Sequence, residues 1–448
     1  MTAISDDVDG RILQPRDHGY DAARAVWNAM IDNRPAIIVQ CASVRDVVTA
    51  VRAAREHDLE IGVRCGGHGI MGHAIPDGGL TIDLTSLADV RVDAERRTAR
   101  VRGGALLGAL DRATQPYGLA TTAGNVSHTG VGGLTLGGGM GWLARRYGLS
   151  CDNVRSFEVV TADGEVVVAS AHEHDDLYWA LRGGGGNFGV VTDFEFDLHE
   201  TGTHALTVEL DFPRASARDA LLGWRDLSET VTRQATFTAA ISHDTICLGY
   251  VWVGDPSEGE QLLPKLREIG PAVAERVEPQ SYLQLQTRDD TAGANALRRY
   301  WKGHYFRELS DDAIDTLLDA AASDGFIASA SVQAYGGAIA DVPGDATAFG
   351  HRDTSFELVT AARWTDPDDD ERQIAAARAF AGPLEPYASG VYVNALNEGG
   401  VDSVRRAYTA GQMSRLVAVK DAYDPLNVFH RNHNIRPSIH SDNGNIGR

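Results

Sequence analysis

Glycine is spread unevenly along this chain, and its clusters constrain the fold more than any other feature of the sequence. The 48 glycines among 448 residues concentrate in four stretches, at 66–79, 102–108, 130–141 and 183–189. Such concentrations occur where turns need positive φ or where the backbone closely approaches a ligand. The first half of the chain is therefore predicted to carry several tight loops that a bound molecule contacts through the main chain.

The composition is that of a soluble globular protein, and it excludes several classes of partner. Hydrophobic residues make up 43%, and the length favours two domains or one domain with a large insertion. The net charge of −21 repels nucleic acid and anionic membranes, so we expect neither as a partner. The four cysteines (Cys41, Cys65, Cys151 and Cys247) show neither zinc-site nor disulfide-framework spacing, and the histidines show no metal-ligand spacing. This spacing predicts no metal site. Residues 1–10 lack the pattern of a signal peptide, so we expect a cytoplasmic protein.

The glycine content and the lengths of the predicted strands and helices change near residue 202 and again near 405. Before 202, short strands and helices alternate with the glycine loops, including a helix after the N-cap candidate Ser43 and a hairpin at Asp163-Gly164. Between these points, longer strands alternate with helices, which is typical of an antiparallel sheet backed by helices. The predicted strands there are 205–212, 235–242, 245–253, 328–333, 356–364 and 390–393. The predicted helices there are 221–232, 258–269, 311–322 and 370–384, and a further helix is predicted over 405–420.

This pattern predicts an α+β protein with a discontinuous first domain. We expect residues 1–203 and 406–448 to form that domain, and residues 204–405 to form an inserted substrate-binding domain.

The most informative short motif is residues 63–69, Val-Arg-Cys-Gly-Gly-His-Gly. A strand runs into a turn with two consecutive glycines and then His68. Bare amides in such a turn form an anion-binding nest that fits phosphate. Taken alone, the motif also fits a glycine turn with an incidental histidine.

The second motif is residues 129–141, in which seven glycines between 130 and 141 remove side chains from a long stretch of backbone. We expect something flat or polyanionic to lie against it. The stretch matches neither a phosphate-binding loop with Lys-Ser/Thr nor a complete Rossmann fingerprint. The third motif is residues 181–192, with Gly183 to Gly186 followed by Asn187. The fourth is residues 423–429, Tyr-Asp-Pro-Leu-Asn-Val-Phe, followed by Asn432, His433 and Asn434.

These four segments, in this order and at these distances, resemble the berberine-bridge-enzyme-like branch of the FAD-linked oxidases. That branch has the vanillyl-alcohol-oxidase fold with a PCMH-type FAD-binding domain, and the sequence looks most like its bacterial 6-hydroxynicotine-oxidase-like members. The resemblance covers nearly the whole chain, with a berberine-bridge-like segment beginning near 390. It implies FAD as cofactor and hydride transfer from a small organic molecule as reaction.

The resemblance also implies roles for individual residues of this chain. His68 is the expected covalent attachment point to the flavin 8α carbon, and the loop from Arg64 to Gly69 is expected to wrap the pyrophosphate. The flavin is expected against Gly130 to Gly133, its adenine end near Asp152, Asn153 and Val190, and its isoalloxazine edge near Asn432 and Asn434. The complete set of expected cofactor contacts is Arg64, Cys65, Gly66, Gly67, His68, Gly69, Gly124, Thr129, Gly130, Gly132, Gly133, Gly139, Asp152, Asn153, Val190, Asn432 and Asn434.

One departure from the family bears on the number of covalent links. Doubly linked members carry a cysteine in Cys-Pro-x-Val-Gly-x-Gly-Gly, and that position here is Val126. We therefore expect a single link, through His68. His128 is the rival histidine.

The catalytic residues are expected on the inserted domain, which in this family covers the active site. Tyr392 and Asn394 stand in a Tyr-Val-Asn segment that resembles a family strand facing the flavin, although Ala395 replaces the second aromatic of carbohydrate oxidases. We expect Tyr392 to act as base, with a lowered pKa if Lys302 supplies a nearby cation. Replacement of Tyr392 by Phe would then slow flavin reduction by about 10²–10⁴-fold. Glu357 and Thr360 are the alternative candidates.

The most plausible activity is an oxidase that uses dioxygen and a small-molecule substrate. Dehydrogenase activity with another acceptor and an oxidative cyclase or tailoring activity stay open, as do the substrate and the oligomeric state. A flavin-binding protein without turnover is disfavoured by the intact glycine loops beside a covered site. Compact Val131 beside the flavin favours oxygen access.

Overall fold

The computed structural model describes residues 7–290, 296–323 and 329–441, and these form two regions built on separate sheets. The ends of the predicted first domain, 1–6 and 442–448, lie outside the described residues, as does residue 328 of a predicted strand. The predicted α+β architecture with an antiparallel-sheet second region is confirmed.

The first region contains three small sheets. Its strands are β1 (Arg11–Leu13), β2 (Ile37–Gln40), β3 (Ile61–Arg64), β4 (Leu80–Asp83), β5 (Val90–Asp93), β6 (Thr98–Arg102), β7 (Leu119–Ala120), β8 (Val154–Val160), β9 (Val166–Ser170), β10 (Val190–Asp197) and β11 (His199–Glu200). One sheet has the order β1-β2-β4-β3, in which β4 pairs in parallel with both β2 and β3. A second, antiparallel sheet has the order β5-β6-β10-β8-β9, and β7 pairs with β11.

The helices of this region connect the strands and cover the sheets. They are α1 (Tyr20–Arg24), α2 (Val44–Glu56), α3 (Leu107–Thr114), α4 (Val131–Leu136), α5 (Ala144–Tyr147) and α6 (Asp175–Leu181). The predicted start of α2 is confirmed, because the Ser43 hydroxyl accepts from the Asp46 backbone N–H in a reciprocal capping box. Helix α2 buries Val47 and Val51 against the first sheet, and β3 of that sheet ends at Arg64, where the 65–69 loop begins.

The second region is one seven-stranded antiparallel sheet. Its strands are β12 (His204–Pro213), β13 (Ala235–Ile241), β14 (Thr245–Val253), β15 (Ala274–Ser281), β16 (Arg298–Phe306), β17 (Ser329–Ala334) and β18 (Phe356–Trp364), and its helices are α7 (Ala217–Thr230), α8 (Pro256–Gly259), α9 (Leu263–Arg267), α10 (Tyr282–Thr287), α11 (Asp311–Ala321), α12 (Ala338–Asp341) and α13 (Asp370–Ala381). The strand order is β15-β12-β14-β13-β17-β18-β16. Strands β15 and β16 were not predicted from the sequence.

The two faces of this large sheet differ in character. One face is apolar and packs against α7 and α11, with Leu221, Trp224 and Leu317 meeting Phe356 and Leu358. Because side chains alternate along a strand, the neighbours of these residues point to the opposite face, towards the first region. That opposite face carries the polar side chains on which the candidate site depends.

The chain returns to the first region earlier than the predicted boundary at 405. Val391, Val393 and Val404 pack in the core of the five-stranded sheet together with Leu416. The remaining helices are α14 (Val401–Arg405), α15 (Ala410–Tyr423) and α16 (Ser438–Ser441). Residues from Val391 onwards thus pack with the core of the first region.

Three predicted elements are wrong in detail. The strand predicted over 390–393 is absent, and a 3-10 turn occupies Val393–Ala395 instead. The helix predicted over 258–269 is divided into α8 and α9, with Pro264 near the start of α9. The helix predicted over 405–420 is interrupted, because the Thr409 side chain caps a new helix at Ala410.

Candidate active site

Two of the glycine loops meet directly in front of β3. A side chain on Gly66 would collide with the backbone nitrogen of Gly130, and one on Gly130 would collide with Gly66 and Cys65. The loops therefore approach through bare backbone, as their glycine content predicts. The exposed Gly69 and Gly133 flank this crossing, and a Cβ at either would meet no protein atom within 4 Å. A strip of bare backbone thus runs beside His68.

His68 lies in a column of aromatic and cationic side chains. Its ring stacks on Trp27 with centroids 4.7 Å apart. The Arg299 guanidinium in turn lies over the Trp27 ring, 3.8 Å from its centroid. Nε2 of His68 is 2.7 Å from Nδ1 of His128, and Nδ1 of His68 is 3.2 Å from the Thr129 hydroxyl. Burial lowers the pKa of His68 to about 3, with His128 and Arg299 adding to the effect. The imidazole is therefore neutral at physiological pH.

Three buried polar atoms in the segments predicted to bind the cofactor have no protein partner, which indicates that a polar ligand binds there. They are Oδ1 of Asn432, Oδ1 of Asn434 and Oγ1 of Thr135. Buried acceptors and hydroxyls are normally hydrogen-bonded, so a bound group is expected to satisfy them. Together with the open glycines, they fit a dinucleotide-sized cofactor with a heteroaromatic ring, as FAD has.

Several other residues expected near the cofactor are committed to protein contacts. The Asp152 carboxylate pairs with the Arg352 guanidinium at 2.7 Å, and the Asn153 amide donates to Leu149 O at 2.8 Å. Val190 is buried in the core behind β2 and β4. These contacts favour a role for Asp152, Asn153 and Val190 in holding the surrounding loops rather than in touching FAD with their side chains.

Arg64 and Gly124 are also held by protein groups. The Arg64 guanidinium donates to Ala23 O and lies 3.9 Å from the Asp83 carboxylate, while its Nε has no partner. The Gly124 carbonyl accepts from the Gln286 amide at 3.1 Å. Their predicted cofactor contacts would have to use Arg64 Nε and the remaining backbone atoms of Gly124.

A row of four side chains crosses the polar face of the large sheet. In register, Thr238 on β13 lies opposite Gln333 on β17, Gln333 opposite Glu357 on β18, and Glu357 opposite Tyr305 on β16. Directly paired residues of an antiparallel sheet point to the same face. The row therefore faces the first region, and Nε2 of Gln333 within it is buried without a partner.

Glu357 is the carboxylate of this row. Its side chain is buried, and it accepts a hydrogen bond from the Tyr335 hydroxyl at 2.6 Å. Burial raises the pKa of Glu357 to about 7, against the smaller opposing effect of the Tyr335 hydrogen bond. A carboxyl group with this pKa exchanges a proton near neutral pH, which suits a general base.

Tyr392 and Asn394 contact the backbone of the second motif, residues 129–141. The Tyr392 hydroxyl accepts from the Gly139 backbone N–H and from the Asn394 amide, both at 2.9 Å. A Cβ on Gly137 would collide with the Asn394 amide. Burial raises the pKa of Tyr392 above its usual value. The two side chains do meet, but through a 3-10 turn and not along one face of a strand.

The predicted activation of Tyr392 by Lys302 is wrong. Lys302 lies opposite Thr360 in the β16–β18 register, on the face that packs against α13, and its Nζ is 3.0 Å from both carboxylate oxygens of Glu398. Thr360 is fully buried on that same face. Since the face alternates with every residue, Lys302 and Thr360 point away from Glu357. Neither contributes to the row that faces the first region.

Sequence reasoning missed Tyr305, Gln333 and Tyr335, which surround Glu357. Tyr305 stacks near Tyr392, with ring centroids 6.4 Å apart. A prediction of strand β16 could have brought Tyr305 to attention. The sequence lacks the alternation of apolar and polar residues that marks a strand, because large side chains occupy both faces of β16. Val131, expected to control oxygen access, is buried in the core of the five-stranded sheet.

Two broader features concern the described part of the chain only. Across residues 7–290, 296–323 and 329–441, no helix is long and apolar enough to cross a membrane. Within the same ranges, no group of three or more His, Cys, Asp or Glu residues is arranged to hold a metal ion.

Two family models match parts of this chain. Residues 35–170 match the family model of an FAD binding domain, and residues 391–436 match the family model described as berberine and berberine like. The chain is 32% identical to an FAD-linked oxidoreductase of Dictyostelium discoideum over 417 residues, covering 92% of this chain and 91% of the relative.

Solved structures agree with this assignment. The structure of 6-hydroxy-D-nicotine oxidase from Arthrobacter nicotinovorans superposes with a TM-score of 0.89 at 28% identity, covering 96% of this chain and 98% of that one. Glucooligosaccharide oxidase from Acremonium strictum, described with 6-S-cysteinyl, 8α-N1-histidyl FAD, shares the fold with a TM-score of 0.87 at 24% identity, covering 97% and 99%. The chain is thus an FAD-dependent oxidoreductase of the berberine-bridge-enzyme-like family of FAD-linked oxidases.

Proposed function

We propose that this protein is an oxidase that removes two electrons from a small organic substrate, holds FAD by a single covalent link at His68, and passes the electrons to dioxygen to give hydrogen peroxide. The observation that carries the proposal is Glu357, a buried carboxylate on the polar face of the large sheet. It faces the glycine loops of the FAD-binding region, and its pKa of about 7 suits proton abstraction.

The environment of His68 supports covalent attachment. A neutral imidazole is a nucleophile, and burial together with the nearby Arg299 keeps His68 neutral. Stacking on Trp27 fixes the plane of the ring. The family's second anchoring position is Val126, which has no nucleophilic atom, so one link is proposed where glucooligosaccharide oxidase is described with two.

Bound FAD would be the two-electron acceptor, and residues of the chain remove the substrate proton. Glu357 takes a proton from the substrate heteroatom, while the Tyr335 hydroxyl holds the carboxylate by its hydrogen bond. Tyr392 and Asn394 keep the Gly137–Gly139 backbone in register with the sheet. In this proposal Glu357 replaces Tyr392 as base, because burial disfavours the ionisation of Tyr392 more strongly than its two accepted hydrogen bonds favour it.

The substrate class is a small molecule with an ionisable O–H or N–H group on or beside the oxidised carbon. Such a group matches a single carboxylate base next to the unpaired Gln333 amide. Dioxygen is proposed as acceptor because 6-hydroxy-D-nicotine oxidase, with similar length and fold, is an oxidase.

The test combines a substrate panel with two readouts. Alcohols, amines, phenols and hydroxylated heteroaromatics are mixed with the enzyme under air, and hydrogen peroxide is measured. The same compounds are mixed anaerobically, and flavin reduction is followed by absorbance. Reduction with peroxide formation supports the proposal, whereas reduction without peroxide assigns a dehydrogenase. Failure of every compound to reduce the flavin contradicts the proposed substrate class.

A further inference from the structure

The proposed function leaves the side chain of His128 unused, although it contacts the attachment histidine directly. Nδ1 of His128 lies 2.7 Å from Nε2 of His68, and Oδ1 of Asp290 lies 3.9 Å from Nε2 of His128. Ser127 anchors Asp290, since its backbone N–H and hydroxyl donate to that carboxylate at 2.9 and 2.6 Å. A carboxylate and two imidazoles therefore form a line that ends at His68.

The order of charges along this line selects one tautomer of His68. A neutral imidazole carries one N–H and one lone pair, and two ring nitrogens 2.7 Å apart share one proton. The negative carboxylate of Asp290 favours the proton of His128 on Nε2, which leaves Nδ1 of His128 as acceptor. Nε2 of His68 then donates. The lone pair of His68 is consequently on Nδ1, where the Thr129 hydroxyl donates to it at 3.2 Å.

The surroundings of His68 also decide what happens to its remaining proton. A bond from Nδ1 to carbon would leave the ring positively charged while Nε2 keeps its hydrogen. Burial and the Arg299 guanidinium, which reaches His68 through Trp27, both oppose that charge. The hydrogen on Nε2 must therefore leave, and His128 Nδ1 is already in contact with it.

We propose that His128 is a positioning residue for cofactor attachment, which directs the bond to Nδ1 of His68 and accepts the proton from Nε2 as the bond forms. This inference rests on the proposed link at His68. The bond joins Nδ1 to the flavin 8α carbon. One C–H and one N–H hydrogen leave as protons, and two electrons enter the ring system, from which dioxygen removes them. The N–H proton passes to His128, where Asp290 stabilises the resulting positive charge.

The experiment follows the attachment itself and not the turnover of the loaded enzyme. Flavin-free protein, purified from cells starved of riboflavin, is mixed with FAD. Covalent flavin is then quantified over time by in-gel fluorescence after denaturation. The linking nitrogen is assigned by NMR of the isolated flavin peptide, and non-covalent binding is measured separately by quenching of FAD fluorescence.

His128→Ala is expected to bind FAD but to attach it about 10²-fold more slowly, as for the loss of a general base. His128→Gln is the matched variant, because its amide oxygen can accept from Nε2 but cannot take the proton. It is expected to attach slowly and through Nδ1. Thr129→Val removes the contact to Nδ1. Because Thr129 is also an expected FAD contact, its attachment rate is compared at equal FAD occupancy, measured by quenching, and is then expected to be no lower than that of wild type.

Several outcomes would overturn the inference. They are attachment of His128→Ala at the wild-type rate, a wild-type link through Nε2, and slowing by Thr129→Val alone, which would assign the opposite tautomer. Loss of FAD binding in both His128 variants would assign a structural role and also overturn it. If wild-type protein itself releases all flavin on denaturation, the proposed link at His68 fails first, which separates the two failures.

Discussion

The two regions of the molecule build their parts of the site by different means. In the first region, loops at 65–69 and 129–141 approach each other through bare backbone, and the collisions that a side chain on Gly66 or Gly130 would cause show how close they are. In the second, single side chains from β13, β17, β18 and β16 form one row across a sheet. The first arrangement holds a cofactor over a long surface, and the second presents one ionisable group. Changes in the first should therefore alter flavin retention, and changes in the second should alter rates with flavin retained.

The largest expected effect lies in the first region. His68→Ala should abolish covalent flavin completely, because no other nucleophile is proposed at the attachment point, while the glycine loops still bind FAD. Acid precipitation separates the two, since covalent flavin stays with the pellet. His73→Ala is the matched control, because His73 is also a histidine whose pKa is lowered by burial, only five residues away. Its pellet should stay fluorescent, and a colourless His73→Ala pellet would contradict the assignment to His68.

The next effect lies in the second region. Glu357→Gln should slow anaerobic flavin reduction by about 10²–10⁴-fold, because the amide cannot accept the substrate proton. The flavin absorbance should not change. Thr360→Val is the matched control on the same strand, since Thr360 points to the helix-packed face. Equal slowing in both variants would mean that the sheet was disturbed and that Glu357 has no chemical role.

The pH dependence of reduction sharpens the choice of base. The reactive form of Glu357 is the carboxylate, so the reduction rate at low substrate concentration should rise as pH increases through about 7 and then level off. Below that midpoint the rate should fall about tenfold per pH unit. The transition should vanish in Glu357→Gln. A midpoint above 10 in the wild type would instead indicate a tyrosine.

Tyr392→Phe should have a smaller effect. It removes the acceptor for the Gly139 N–H and the Asn394 amide but leaves Glu357 in place. Each of these two hydrogen bonds is worth about 0.5–1.5 kcal/mol of stability. Because the base Glu357 is kept, most of this loss should fall on stability, and reduction should slow by about tenfold or less. Stopped-flow absorbance measures it directly. Slowing as large as that of Glu357→Gln would restore the tyrosine as base.

The last effect concerns the stability of the contact between the two regions, and no change in the reduction rate is expected from it. Asp111 on α3 is buried and accepts from the Gln286 amide on α10, and burial raises its pKa to about 7. The folded state therefore binds this proton more tightly than the unfolded state, so this group makes stability fall as pH rises from about 4 to 7.

Asp111→Asn should remove that fall. At pH 8 its free energy of unfolding should exceed that of wild type by about 1–4 kcal/mol, because no buried charge remains and the new amide can donate to the unpaired Gln286 oxygen. Urea unfolding at pH 8 and pH 4 measures the difference, which should shrink at the lower pH. An equal difference at both values would assign the effect to packing.

Local signals account for what could be predicted from the sequence. Ser43 and Asp46 predicted the start of α2, and Asp163-Gly164 predicted the β8–β9 hairpin. The first and last residues of β14 and β18 were also predicted correctly. The glycine motifs were likewise recognisable because backbone contact with a ligand requires glycine at particular positions. None of these signals depends on which segments pair far apart in the chain.

The parts that could not be predicted depend on strand pairing. Lys302 was expected beside Tyr392, but its face is decided by the pairing of β16 with β18, which brings Tyr305 and not Lys302 to the site. Glu357 was only an alternative candidate for the same reason. Its burial, and hence its raised pKa, comes from Tyr335 and neighbouring strands that are distant in sequence.

Strand β16 joins the two regions in a way that limits how the protein can be altered. Arg299 near one end of this strand stacks over Trp27 beside His68, and Tyr305 near the other end lies opposite Glu357. Six residue steps along the strand separate them by about 20 Å. Both point to one face only because their positions differ by an even number. A single inserted or deleted residue between them would turn one of the two side chains away from the site. A change of two residues would keep both facing the site and alter only the distance between them. Grafts of new substrate pockets onto this sheet must therefore change the length of β16 by an even number of residues.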